Sequence, residues 1–125
     1  MKSFLYVFLG GGIGSLIRFL ISRFITVSKN NFPWPTLLAN FTGCLLIGIL
    51  FGWVLKNNSE RSDLYLFLAM GFCGGLTTFS TFSLEGLTFL KSGDYTSFIS
   101  YTLYSVLGGI AFVGLGYYLF RLGNT

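Results

Sequence analysis

The chain contains no histidine among its 125 residues. That removes the commonest metal ligand and the side chain best suited to acid–base work near neutral pH. Charge is also scarce. Asp, Glu, Lys and Arg make up 10% of the residues, against roughly a quarter in soluble domains. So few charges could not cover the surface of a soluble domain. There are two cysteines, Cys44 and Cys73, each within an apolar block. Their spacing fits neither a metal motif nor a disulfide framework, so they read as small buried thiols. Both prolines, Pro33 and Pro35, fall in one connector, so proline interrupts no apolar block. With no triad, metal cluster or nucleotide fingerprint, no enzyme is expected. The 8 basic residues are scattered, so no patch tracks a nucleic-acid backbone.

What the chain has is apolar length. Hydrophobic residues make up 53% and the mean hydropathy is +0.73. Four apolar blocks lie at about 4–25, 36–55, 64–90 and 96–120. Each is long enough for a bilayer core, which takes roughly 20 helical residues. These blocks predict a single all-α membrane domain of four transmembrane helices over 1–125. The opening Met1-Lys2-Ser3 superficially resembles a signal peptide. The apolar run that follows is interrupted by Arg18 and shows no small-residue cleavage site, so it is expected in the mature protein.

Each block carries residues that plain lipid contact does not require. In the first, Gly10 and Gly14 lie four apart and invite close helix packing. Arg18 follows one turn later on that face. An intramembrane arginine is costly and functional by default; its place near the block end favours structural anchoring on carbonyls over direct anion binding. In the second block Thr36, Asn40, Gly43 and Cys44 share a narrow face. Asn40 is the one carboxamide in any apolar block, with two donors and an acceptor. In the fourth, Ser97, Tyr101, Ser105 and Gly109 repeat at intervals of four. Glu85, near the end of the third block, is a carboxylate within a span and functional by default; it is expected to line the conduit with Asn40, Phe79 and Phe82, the alternative being an interfacial, solvated role.

The middle of the third block is wrong for an uninterrupted helix. Gly74-Gly75 weakens the backbone by roughly 1 kcal/mol per glycine, so a break is expected there. Thr77, Thr78, Ser80, Thr81 and Ser83 then offer hydroxyls to freed backbone groups. Irregular backbone at membrane depth requires protein or a watery cavity around it, and such breaks mark ion sites in transport proteins. Phe79 and Phe82 share a face just beyond it. A phenyl ring is positive at its edge, so edge-on rings can face an anion, as can the donors of Asn40, Thr36, Tyr101, Ser105, Ser80 and Thr81.

Charges at the span ends give little orientation. Lys2, Lys56, Arg61 and Arg121 lie on one side, and Arg23, Lys29 and Lys91 on the other. The positive-inside rule has almost no bias to act on. Such a chain can insert both ways, and two copies can pair antiparallel. A chain this small also has little room for a conduit inside one bundle, which again points to a homodimer.

The string Thr77-Thr78-Phe79-Ser80-Thr81-Phe82 resembles the signature of the bacterial fluoride channels, the Fluc or CrcB family. The likeness extends to Gly11-Gly12-Ile13-Gly14 with Arg18, to Trp34-Pro35-Thr36-Leu37 with Asn40 and Gly43, to Gly71-Phe72-Cys73-Gly74-Gly75, and to Glu85. The resemblance implies a fluoride-selective passive channel in the bacterial inner membrane. It implies an antiparallel homodimer with two pores, lined by Asn40 and by Phe79 and Phe82 from both subunits. It implies a structural sodium ion held by backbone carbonyls at the break, at Gly74 and Thr77. Tyr101 and Ser105 match the family's polar track on the last helix, and Gly109 departs from it where another hydroxyl is expected. The main rival is a small dual-topology proton-coupled exporter. That chemistry needs a carboxylate in the first span, where this chain has Arg18. A non-transporting scaffold would leave Asn40 and the hydroxyl cluster unexplained.

Overall fold

The computed structural model describes residues 1–27 and 31–125. Residues 28–30 of the proline connector lie outside the described residues. Among the described residues every regular element is helical. The first span is α1, Lys2–Phe24, and the second is α2, Trp34–Asn57. Pro35 sits in the first turn of α2, where its missing N–H costs nothing. The third span is composite. It comprises α3, Asp63–Tyr65, a π-helix, Leu66–Cys73, a short turn α4, Gly74–Leu76, and then α5, Phe79–Ser92. The last span is α6, Tyr95–Gly123. Among the described residues, four helical stretches are thus long and apolar enough to cross a membrane, each overlying one predicted block. With so many outward-facing Phe, Leu and Ile side chains, the chain is a multi-pass membrane protein.

The break lies downstream of the expected point. Gly74 is helical at φ −62°, ψ −38°. The chain becomes extended at Thr77, φ −83°, ψ 156°, and Thr78, φ −150°, ψ 121°. Two physical reasons override the glycine argument. Gly75 packs directly on the backbone of Gly11, so its lack of a side chain serves helix contact. Thr78 in turn is the N-cap of α5, its hydroxyl accepting the Thr81 N–H at 3.2 Å. Thr is a favoured N-cap residue, and this cap fixes where the second half of the span begins.

Two seams hold the bundle. α1 packs on the π-helix and α4, and α2 packs on α6. Gly10 and Gly14 of α1 lie against the backbone of Phe67, Gly71 and Phe72. In the second seam Gly48 meets the Val113 carbonyl and Gly116 meets the Leu45 carbonyl. Without a hydrophobic force between helices in lipid, such close approach supplies the packing attraction. α5 diverges beyond the break and rests on α6 around Phe89 and the fully buried Tyr101, with Leu37 of α2 completing a small aromatic core.

α6 is capped by Asp94, whose Oδ1 accepts the Ser97 N–H at 3.1 Å. The Ser97 hydroxyl and then its backbone N–H hold the Asp94 carboxyl below its ordinary pKa. A depressed carboxylate stabilises the fold above its unfolded pKa, and the contribution is lost as pH falls through the folded value. Melting temperature should therefore decline at acid pH, and Asp94→Asn should flatten that part of the profile. Identical acid slopes in both proteins would remove this cap from the account.

Substitution at the first seam gives a second test. A side chain at Gly14 would strike the Phe72 carbonyl and the Leu76 nitrogen, whereas Gly12 has open space around it. Gly14→Leu should cost about 1–3 kcal/mol or prevent assembly of a monodisperse protein. Gly12→Leu should remain monodisperse by size exclusion with a near-native melting temperature. Equal behaviour of the two would contradict the seam.

Candidate functional site

The break leaves backbone groups that the helix no longer satisfies, and three side chains take them. Asn40 Oδ1 accepts the Thr78 N–H at 2.7 Å, and Asn40 Nδ2 donates to the Thr78 carbonyl at 3.3 Å. The orientation of the carboxamide follows from this pair, since Thr78 N–H can only donate. Asn40 therefore closes on both backbone groups of a single residue. On the opposite side Arg18 Nε donates to the Gly75 carbonyl at 3.1 Å, and Ser15 Oγ reaches the same oxygen at 3.4 Å. Arg18 thus reaches a backbone carbonyl of the broken span. Ser15 was not foreseen. Its spacing of three from Arg18 on one helical face was the available signal.

Cavities lie on both sides of Thr78. The larger, about 460 Å³, is walled by Asn40, Phe79, Phe82 and Ser105, with Gly74 and Thr77 at the break. It opens on the outside of the single chain, where the Phe79 ring is 79% exposed. The Phe79 and Phe82 ring centres are 5.7 Å apart with planes at 41°. Ser105 Oγ is shielded and has no hydrogen-bond partner among the described residues. An unpaired hydroxyl in a membrane span is costly, and it is free to donate to whatever occupies the cavity. The second cavity, about 230 Å³, is lined by Ser15, Arg18, Ser22, Thr36 and Thr81. Thr78 lines both, so the broken backbone is the partition between them.

Glu85 stands apart from the larger cavity. Its Oε1 accepts the Thr36 hydroxyl at 2.6 Å and its Oε2 accepts the Tyr101 hydroxyl at 2.7 Å. One carboxylate thereby ties α2, α5 and α6 together. It also lines a third cavity, about 220 Å³, with Thr88, Ser92 and Asp94 towards the end of the span.

The predicted residues are therefore gathered into two groups rather than one face. Asn40, Phe79, Phe82, Ser105, Gly74 and Thr77 share the larger cavity. Arg18, Thr36 and Thr81 share the smaller one. The regular Ser97, Tyr101, Ser105 stripe divides: Tyr101 is fully buried with its hydroxyl on Glu85, while Ser105 faces the cavity. Ser80 lies exposed, within 3.3 Å of the Thr78 hydroxyl.

A four-span helical membrane protein with a clamped break in its third span, and on either side a cavity with a few polar groups in its walls, has the build of a transport protein. The sequence pattern of the family described as CrcB-like protein, Camphor Resistance (CrcB), matches residues 5–117, and the chain belongs to that family. A Phocaeicola vulgatus protein named Fluoride-specific ion channel FluC is 47% identical over 120 residues, covering 95% of this chain and 98% of that protein. Proteins of the same name from Azobacteroides pseudotrichonymphae and Leptospira interrogans are 42% and 43% identical. The first covers 95% of this chain and 96% of its own length; the second covers 96% and 95%. None of the three names describes an enzyme.

The Asn40 clamp predicts a graded response. Asn40→Leu leaves the Thr78 N–H and carbonyl unpaired and should destabilise by about 1–3 kcal/mol. Asn40→Asp keeps an acceptor for the N–H and should lose less. Thermal unfolding in detergent that ranks the two variants the other way would contradict the clamp.

Proposed function

We propose that the chain forms a fluoride-selective passive channel that exports fluoride across the bacterial inner membrane. The observation that carries this reading is the larger cavity. There the Asn40 carboxamide, the unpaired Ser105 hydroxyl and the rings of Phe79 and Phe82 meet without a formal charge. Dehydrating a small anion is expensive, so a site must replace water with several convergent donors. Hydroxyl and amide donors with positive ring edges supply this without the tight grip of a cation. Loose, multiple contacts let an ion enter and leave. Relatives at 42–47% identity are named as fluoride channels. Fluoride enters acid-exposed cells as neutral hydrogen fluoride and dissociates inside. The membrane potential then drives the anion out, at about 2.3 kcal/mol per 100 mV.

The working unit in this reading is an antiparallel homodimer with two pores. The near-balanced charges at the span ends support dual insertion. The openness of the larger cavity and the exposed Phe79 ring leave room for a partner to complete each pore. A structural sodium ion fits the same arrangement. The Gly74 position has open space beside it, and the carbonyls of Gly74 and Thr77 receive no side-chain donor among the described residues. In this reading the two carbonyls would form half a shell for a hard cation, and a second copy would supply the rest. The ion would offset the carbonyl dipoles where two breaks meet. Because the ligands are backbone oxygens, Thr77→Ser should retain it.

Fluoride efflux from liposomes, with chloride as control, tests the reading. Rapid fluoride flux that stops at the fluoride reversal potential is expected, with at least tenfold less chloride flux. Flux that persists at that potential with a proton gradient would mark an exchanger. Phe79→Ile and Phe82→Ile should fold yet conduct poorly, because isoleucine fills space without a polarised edge. Asn40→Asp should conduct worse still, having placed a negative charge in an anion path. Normal flux in all three would remove these residues from the pore. Sodium depletion should abolish flux and sodium refilling restore it; full flux without sodium would remove the ion.

A further inference from the structure

Two side chains of the larger cavity have no part in anion passage as described. Cys44 and Cys73 are both free thiols. They come from different elements, α2 and the π-helix, yet they line the same cavity beside Asn40. The backbones that carry them converge at this level. An ideal Cβ on Gly43, the residue before Cys44, would stand 3.9 Å from the Cys73 carbonyl oxygen. The Cys44 sulfur in turn lies 3.5 Å from the Cβ position of Gly109 on α6. Cys73 is 5% exposed, and the apolar Ile47 and Ala69 line the same cavity.

We infer that Cys44 and Cys73 together form a binding site for one soft, two-coordinate cation of the mercury(II), silver(I) or copper(I) kind. Thiolate sulfur selects soft metals over hard ones. The ligand count selects further. The chain has no histidine, and no group of three His, Cys, Asp or Glu side chains is gathered among the described residues. A four-coordinate ion such as zinc would be left half-bound, whereas two sulfurs complete the shell of a linear ion. Apolar walls disfavour a free thiolate, so the cation must displace the thiol protons. For mercury(II) added as the chloride, two S–H and two Hg–Cl bonds break, two Hg–S bonds form, and two protons and two chloride ions leave to solvent, with no change of oxidation state. An ion so held stands in the cavity of Asn40, Phe79 and Phe82. Obstruction of fluoride passage follows from it; that consequence rests on the proposed channel function, while the binding itself does not.

The test uses mercury(II) chloride on the full chain purified in detergent, followed by an excess of a monothiol that strips mercury held by a single sulfur. One mercury retained per chain, with both thiols lost to titration together, is expected. Cys44→Ser and Cys73→Ser should each lower retention at least tenfold. Two mercury ions per wild-type chain, none, or undiminished retention in either variant would overturn the shared site. The wild-type stoichiometry decides this even if a variant fails to fold. In liposomes each protein's fluoride flux is normalised to its own metal-free value. Mercury should suppress wild-type flux at least tenfold more than that of the double Cys→Ser variant. Retained mercury with undiminished flux would keep the thiol site and count against the cavity as the conduction path.

Discussion

The structure depends on how a broken helix is kept intact inside lipid. A bilayer core offers no water to unpaired N–H and C=O groups, each of which costs several kcal/mol there. At Thr78 both groups are met by the single carboxamide of Asn40. At Gly75 the freed carbonyl is met by Arg18 and Ser15. The two sets of donors come from different helices, α2 and α1, so the break is held from two sides. Asn40, Arg18 and Ser15 in the first two spans are thus explained by what the third span lacks.

That arrangement also decides where cavities can exist. A continuous third helix would have carried Phe79 and Phe82 around the helix in register with the preceding turns. The extended pair Thr77-Thr78 resets the direction, so that the two rings, Asn40 and Ser105 line one space. Thr78 then separates this space from the Arg18 side. Glu85 secures the second half of the span by binding Thr36 of α2 and Tyr101 of α6. A carboxylate holding two hydroxyl donors fixes α5 against both neighbours, while the glycine seams fix α1 and α6. Glycine packs the two seams, and polar side chains hold the break and the second half of the span.

Much of this was legible in the sequence because lipid makes polar residues conspicuous. Four apolar blocks gave four spans, and Asn40, Arg18 and Glu85 stood out by cost alone. The position of the break was not legible from glycine propensity. The Gly74-Gly75 turn stays helical with Gly75 packed on Gly11 of α1, a tertiary contact that propensity does not contain. The Thr78 cap was the better signal. The π-helix over Leu66–Cys73 left no trace in the apolar pattern. The split of the α6 stripe, with Tyr101 on Glu85 and Ser105 in the cavity, required knowing where α5 diverges.

Amide hydrogen exchange at Thr78, measured in a lipid bilayer, bears most directly on the clamp from which the rest follows. The structure has this N–H bonded to Asn40 rather than to a helical carbonyl. Its exchange should be as slow as that of neighbouring helical amides in the native chain, and should accelerate at Thr78 in Asn40→Leu while the α1 seam stays protected. Fast exchange at Thr78 in the native chain, or slow exchange unaffected by loss of the carboxamide, would contradict the account.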